Sequence, residues 1–303
     1  MSWFDRFDAL VAVRFPHMEI LREEPMERHT TFRTGGPARR FARPASAEEC
    51  AALLELAAEE AWPVLLLGNG SNLLVSDAGV DTLAIHTGLL DKAARTGQRT
   101  IRAGAGLRLS KLAVFAQREG LSGLEFAHGI PGSLGGGVCM NAGAYGGEMK
   151  QVLTAVSAWL PGQGVKWIAA EKLELRYRHS LFSSAPGAVL EAEFLLTPGD
   201  GGEIQALMDS LSRRRREKQP LEYPSAGSTF KRPEGHFAGG LIEQCGLKGF
   251  RIGGAQVSEK HAGFVINAGG ASSTDILALI AHIQEAVFQQ TGVRLEPEVR
   301  IVP

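Results

Sequence analysis

The 303-residue chain has only three cysteines and three tyrosines, a formal net charge of −1, and no apolar run long enough to cross a bilayer. Each shortage removes a class of protein. Cys50, Cys139 and Cys245 are odd in number, far apart and in no metal-ligand spacing, so neither a disulfide framework nor a metal site is expected. Reduced structural thiols in a reducing compartment fit better. A charge balance so close to zero leaves no footprint for nucleic acid or for an anionic membrane, and neither partner is expected. The one dense basic run, Arg213–Arg216, falls on an expected helix and does not carry such a reading alone. Asp5, Arg6 and Asp8 interrupt any apolar start, so a signal peptide is not expected and a cytoplasmic location is.

Several chemical signatures are missing too. GNGSNL and GAGLRL both lack the third glycine of the dinucleotide fingerprint, and there is no G-K-[ST], G-x-S-x-G, H-E-x-x-H or C-x-x-C. Rossmann-type, Walker-type, common hydrolase, zinc-protease and dithiol chemistries therefore drop out.

What is present is glycine, concentrated in one place. Residues 127–147, AHGIPGSLGGGVCMNAGAYGG, hold eight glycines, where the overall 37 in 303 would supply fewer than three. No charged side chain lies between Glu125 and Glu148. Glycine loses the most conformational entropy on folding, so a dense run implies positive φ, or main chain held close to a ligand with its N–H groups bare. Such N–H groups cradle phosphate without lysine. Two more glycine turns, 68–72 and 104–106, sit at strand ends. Together the three read as the wall of an elongated phosphate-bearing cofactor; tight turns in a β-rich domain are the plainer alternative.

Apolar spacing predicts a helix over 2–14 and, after Ser46 with Glu49 as a capping box, another running to about Trp62. Strands are expected at 64–67, 73–76, 81–87, 100–106 and 189–196, with a hairpin over 152–169. Ser110 is expected to cap a helix that Gly120 stops. Composition shifts at 198–202, a plausible boundary. Beyond it come a helix carrying Ile204, Leu207, Met208 and Leu211, a small-residue loop over 221–233, and a short helix near 239–245. A strand at 264–267, a helix from about Asp275 to Gln290, and a closing strand VRLEPEVRIVP follow.

TFRTGGPA, GNGSNLLV, GIPGSLGGG-x-x-MNAGAYG, YRHSLF, SAGSTFKRP and LEPEVRIV occur in an order that resembles the UDP-N-acetylenolpyruvoylglucosamine reductase family, over about Phe32 to Val302. The shorter class of that family, without an added tyrosine-bearing loop, is the nearer likeness. Ser133, Gly137 and Arg232 stand where threonine, alanine and asparagine are common in it.

The resemblance implies an α+β architecture. An FAD-binding fold of the p-cresol methylhydroxylase type spans 1–199, in subdomains of about 1–65 and 66–199. A substrate-binding domain spans 200–303, and its last strand, about 294–303, is able to return to the N-terminal subdomain. It also implies NADPH as hydride donor, non-covalent FAD and a UDP-sugar enolpyruvyl ether as substrate, with a monomer expected. The corresponding cofactor residues are Arg33, Thr34, Gly35, Gly68, Asn69, Gly70, Ser71, Asn72, Gly104, Gly129, Ile130, Pro131, Gly132, Ser133, Asn141, Gly143, Ala144 and Tyr145.

Ser228 matches the proton donor, Arg178 the cation beside the substrate carboxylate, and Glu298 the active-site glutamate. Tyr177 and Lys218 match substrate contacts, and no metal is implied. The residues alone are less decisive. A serine in a small-residue loop is usually a turn former, Arg176 competes with Arg178, and Glu296 would share a face with Glu298 in a regular strand. His261 reads equally as a nucleotide-pocket residue or a structural one. A sugar or alcohol oxidase, a flavin electron carrier, and a nucleotide-binding module without redox function remain rivals at this point.

Overall fold

The computed structural model describes residues 2–303, which form two compact units. The first comprises residues 2–23, 39–69 and 81–213; the second comprises 24–38, 70–80 and 214–303.

Besides two two-stranded sheets, the first unit holds two larger ones. In one, Val64–Leu67 and Val80–His86 pair in parallel, joined in order to Pro37–Arg43 and Glu19–Pro25. The helix Ala47–Glu59 buries Cys50, Leu53, Leu54 and Leu56. Ser46 Oγ accepts from the Glu49 N–H as the capping box requires, but the Glu49 carboxylate turns to the N–H of Ala45. The helix Trp3–Arg14 has a complete box from Ser2 and Asp5, and buries Phe7 and Val11. The second sheet is antiparallel throughout, ordered Gly164–Ala169, Leu153–Leu160, Ala188–Leu195, Thr100–Gly104, Ala93–Arg95. Ala188–Leu195 lies at its centre, which explains an apolar run with incomplete alternation.

The expected helix cap at Ser110 is corrected. The helix is Leu109–Arg118, and its cap position is Arg108, without a side-chain cap. Ser110 falls inside the first turn, two residues past the cap position. Gly120, at φ 64°, does end it, as expected. The stretch 129–147 also differs from a pure series of loops: Leu134–Cys139 is a short helix despite Gly135, Gly136 and Gly137. Its glycines serve close packing. A Cβ on Gly135 would lie 3.0 Å from the Ala105 Cβ, and one on Gly137 would lie 3.1 Å from Leu109 Cδ1.

The second unit packs the helices Ala238–Gln244 and Ser273–Thr291 with the three-stranded sheet Arg251–Ile252, Ala255–Val257, Val265–Asn267. Ile276, Leu279, Ile280, Ile283 and Val287 form the buried stripe of the long helix. Three of its first N–H groups are satisfied by side chains. Ser272 Oγ takes the Asp275 N–H at 3.0 Å, and Asp77 takes those of Ser273 at 2.7 Å and Thr274 at 3.1 Å. Gly292, at φ 73°, closes it.

The closing strand is shorter than the sequence pattern implies. Only Arg300–Val302 is strand, and it pairs in parallel with Leu73–Val75. Pro297 breaks the run, since proline offers no N–H to a ladder. No helix among the described residues is long and apolar enough to cross a membrane.

Candidate active site

In the first unit the three glycine turns meet. Asn69 Nδ2 donates to the Pro131 carbonyl at 2.6 Å. Gly68 lies so close to Ser133 that a Cβ on it would fall 1.9 Å from Ser133 Oγ. The Gly135 N–H donates to Ala105 O at 2.7 Å, the Leu134 N–H to Leu107 O at 2.8 Å, and the Leu109 N–H to Gly132 O at 2.9 Å. Gly104 carries no side chain because one would strike the Leu90 carbonyl at 2.3 Å. Gly129, Ile130, Pro131, Gly132 and Ser133 thus belong to one continuous wall with the 68–69 and 104–106 turns. Gly143 and Ala144 pair with Glu148 and Gly147 in a small hairpin tipped by Tyr145, which is exposed and held at φ 53°.

Tyr177 and Arg178 form the two-residue tip of a second hairpin, in which Arg176 and His179 exchange both backbone hydrogen bonds at 3.1 Å. Arg178 takes φ 52°, a conformation that costs a non-glycine residue about 1–3 kcal/mol and survives only where neighbours enforce it. Its guanidinium lies 5.1 Å from the Tyr177 ring centroid. Arg176, the competing arginine, is engaged beside His179 Nε2 at 2.9 Å and Glu174 at 3.6 Å.

In the second unit Ser228 is exposed on the small-residue loop and Thr229 is fully buried behind it. Thr229 is a hub. It donates its N–H to Gly263 O at 2.9 Å, takes the Val265 N–H on Oγ1 at 2.9 Å, and takes the Glu298 N–H on its carbonyl at 2.8 Å. The structure therefore pairs the main chain of Glu298 with Thr229, the residue after Ser228. Asn72 joins them: its Nδ2 donates to the Glu298 carbonyl at 3.0 Å, and its own carbonyl takes the Arg300 N–H at 2.9 Å. Glu298 is half-buried, whereas Glu296 is exposed and bridges to Lys231.

Arg33 and Gly35 hold φ 56° and 119°, and Thr34 between them is buried, with Oγ1 lacking a protein partner. Gly70 stands at φ 58° against the His29 carbonyl, followed by half-buried Ser71. Lys218 is exposed at the last residue of the helix Gly201–Lys218. His261 Nδ1 accepts the Gly263 N–H at 3.1 Å and its ring packs edge-on against Phe264. Burial lowers its pKa and so favours the neutral imidazole, and with Nδ1 accepting, that form carries its proton on Nε2. Sequence reasoning missed the roles of Thr229 and Asn72 toward Glu298, and nothing local signals them, because their partners are remote in the chain.

The donor set suits a bound flavin dinucleotide. In the first unit it consists of main chain made bare by glycine and of short polar side chains; GNGSN offers no cysteine or histidine for covalent attachment. Residues 38–167 match the family model described as FAD binding domain, and residues 219–302 match that of the UDP-N-acetylenolpyruvoylglucosamine reductase C-terminal domain. Fold and site define an FAD-dependent oxidoreductase. UDP-N-acetylenolpyruvoylglucosamine reductases of Agathobacter rectalis and Levilactobacillus brevis are each 48% identical to this chain, with 96% of both sequences covered in each comparison.

The crystal structure of UDP-N-acetylenolpyruvylglucosamine reductase (MurB) from Thermus caldophilus superposes with a TM-score of 0.80 at 36% identity, covering 95% of this chain and 99% of that one. The chain belongs to the UDP-N-acetylenolpyruvoylglucosamine reductase family. A likeness to alkyldihydroxyacetonephosphate synthase, with a TM-score of 0.50 at 16% identity over 65% of this chain, shows the shared fold alone.

Proposed function

We propose that this protein reduces the enolpyruvyl double bond of UDP-N-acetylglucosamine enolpyruvate to give UDP-N-acetylmuramate, a peptidoglycan precursor. When bound, FAD supplies hydride transfer from NADPH to the substrate. The chain supplies the proton and the charge. Hydride addition to one alkene carbon leaves negative charge on the next, delocalised into the adjacent carboxylate, so the site needs a cation for that carboxylate and a positioned proton donor.

Ser228 is the donor to C2. A serine hydroxyl is a weak acid, and it works here only against strongly basic developing charge and with its loop held still. Arg178 meets the carboxylate with a planar fork suited to two parallel hydrogen bonds. Glu298 orients substrate or assists the proton relay. Tyr177 contacts the substrate, and Lys218 reaches its diphosphate. The cofactor is held without a covalent bond by the glycine wall, by Arg33–Gly35, by Gly68–Asn72 and by Gly143–Tyr145. The protein works as a cytoplasmic monomer.

One observation supports this reading beyond membership of the family: the Glu298 N–H bond to the Thr229 carbonyl, which pairs the glutamate's main chain with the residue after Ser228. The test is product formation with NADPH under nitrogen. One UDP-N-acetylmuramate per NADPH oxidised supports the reading. NADPH oxidation that requires oxygen, or that yields no product, sinks it in favour of an oxidase.

A further inference from the structure

Asn141 stands among the cofactor residues that the family likeness supplies, yet its side chain is already committed. It is 1% exposed, at φ 40°. Its Nδ2 donates to the Arg176 carbonyl at 3.2 Å and to Glu148 Oε2 at 2.8 Å, and its Oδ1 accepts the Lys150 N–H at 2.9 Å. A primary amide has two N–H donors, and both are spent within the protein. The group at the other end of the first bond is informative. Arg176 opens the hairpin whose tip is Tyr177–Arg178.

A second tie runs parallel to the first. The Cys139 carbonyl, at the end of the helix Leu134–Cys139, accepts from Ser180 Oγ at 2.8 Å and Ser183 Oγ at 3.1 Å, just past the hairpin. The end of the glycine stretch therefore grips the Arg178 hairpin on both flanks. A residue in the left-handed region needs such restraint, and Arg178 is in that region at φ 52°. The tip residues themselves lie outside this grip. Tyr177 is 54% exposed and packs its ring under the Arg178 guanidinium, while the ties from Asn141 and Cys139 hold the two flanks.

We propose that Asn141 is a positioning residue for Arg178: it fixes the hairpin so that the guanidinium meets the substrate carboxylate, and its side chain does not hold the flavin. The inference rests on the proposed reductase function. Asn141→Asp keeps the shape and the acceptor but removes both donors beside Glu148, while Asn141→Ala removes the whole tie. In the holoenzyme, both variants bind FAD and accept hydride from NADPH within about twofold of the wild type. Reoxidation by the enolpyruvyl substrate slows by about tenfold or more, as expected when a reacting group is displaced by roughly an ångström. Ser180→Ala with Ser183→Ala, which cuts the other tie, produces the same selective slowing.

The discriminating measurement is a double-mutant cycle on the reoxidation rate. Once Arg178→Ala has removed the guanidinium, adding Asn141→Ala costs less than about twofold more, because the two act as one unit. Multiplicative effects overturn the proposal, as does an FAD dissociation constant that rises in step with the lost rate. Should wild-type reduced enzyme fail to be reoxidised by the enolpyruvyl substrate at all, the function itself falls and this inference with it.

Discussion

The Glu298 N–H donates to the Thr229 carbonyl at 2.8 Å, so a glutamate five residues from the chain's end is locked one residue away from Ser228. Glu296, two positions earlier, is 69% exposed at its side chain and pairs with Lys231. The two carboxylates are thereby separated by environment. Glu298→Gln is expected to lower kcat by about a hundredfold or more, in the range of lost acid–base assistance. Glu296→Gln, which removes only a surface ion pair, stays within about twofold. Steady-state kinetics on the two variants reads this directly; equal losses would remove Glu298 from the site.

Arg178 offers a sharper substitution than alanine. Arg178→Lys retains the positive charge but loses the planar fork, and kcat/KM is expected to fall by about tenfold to a hundredfold. Arg176→Lys, at the base of the same hairpin, is expected to change little, because its side-chain contacts are with His179 and Glu174. If the two lysine variants behave alike, a simple point charge suffices and the bidentate contact is wrong.

The long helix Ser273–Thr291 predicts a stability effect away from the chemistry. Partial burial alone would raise the Asp77 carboxyl, but bonds from Ser273 and Thr274 outweigh it and hold the group below its ordinary value of 3.8. Asp275 is also lowered, chiefly by the N–H groups of Ser272 and Gly254. Both groups bind protons less readily folded than unfolded. Their contribution is therefore full above the ordinary value, and is lost as pH falls below it through the depressed folded values. Asp77→Ala is expected to cost about 1–2 kcal/mol at neutral pH, the usual penalty for stripping a helix cap. That deficit should shrink in acid, as measured by denaturant unfolding across pH.

Cys50 is sealed in the first unit, and burial pushes its thiol up to about 12. The thiolate is the reactive form, so Cys50 is expected to resist an aromatic disulfide reagent at mildly alkaline pH until denaturant is added. Burial raises Cys245 as well, though that residue is only half-buried. Prompt labelling of Cys50 in native protein, followed by mass spectrometry, would show that this core opens readily.

Local signals were legible where chemistry and periodicity coincide. Ser46 before an apolar helix, Gly120 and Gly292 after two others, and Pro161–Gly164 between two strands all stand where the sequence places them. Failures follow from forces that the pattern does not encode. Ser110 looks like a cap, but the helix starts at Leu109 because tertiary packing buries Leu109 completely. The closing run resembles one strand until Pro297 divides it. Motif order points to Ser228, Arg178 and Glu298 as candidates, whereas the main-chain and side-chain supports beside them are invisible in sequence. Asn72 is 226 positions from the Glu298 carbonyl that it holds, and Asn141 is 35 from that of Arg176. No window along the chain sees such a pair.

The most direct test separates the two halves of turnover in Ser228→Ala. Reduction of the bound flavin by NADPH is followed anaerobically, then reoxidation by UDP-N-acetylglucosamine enolpyruvate in a single turnover. The account predicts a reduction rate within about twofold of wild type and reoxidation slower by about a hundredfold or more, because only the second half needs a proton at carbon. Unchanged reoxidation would contradict it, and so would an equal slowing of both halves, which would point to a disturbed cofactor site instead of a missing proton donor.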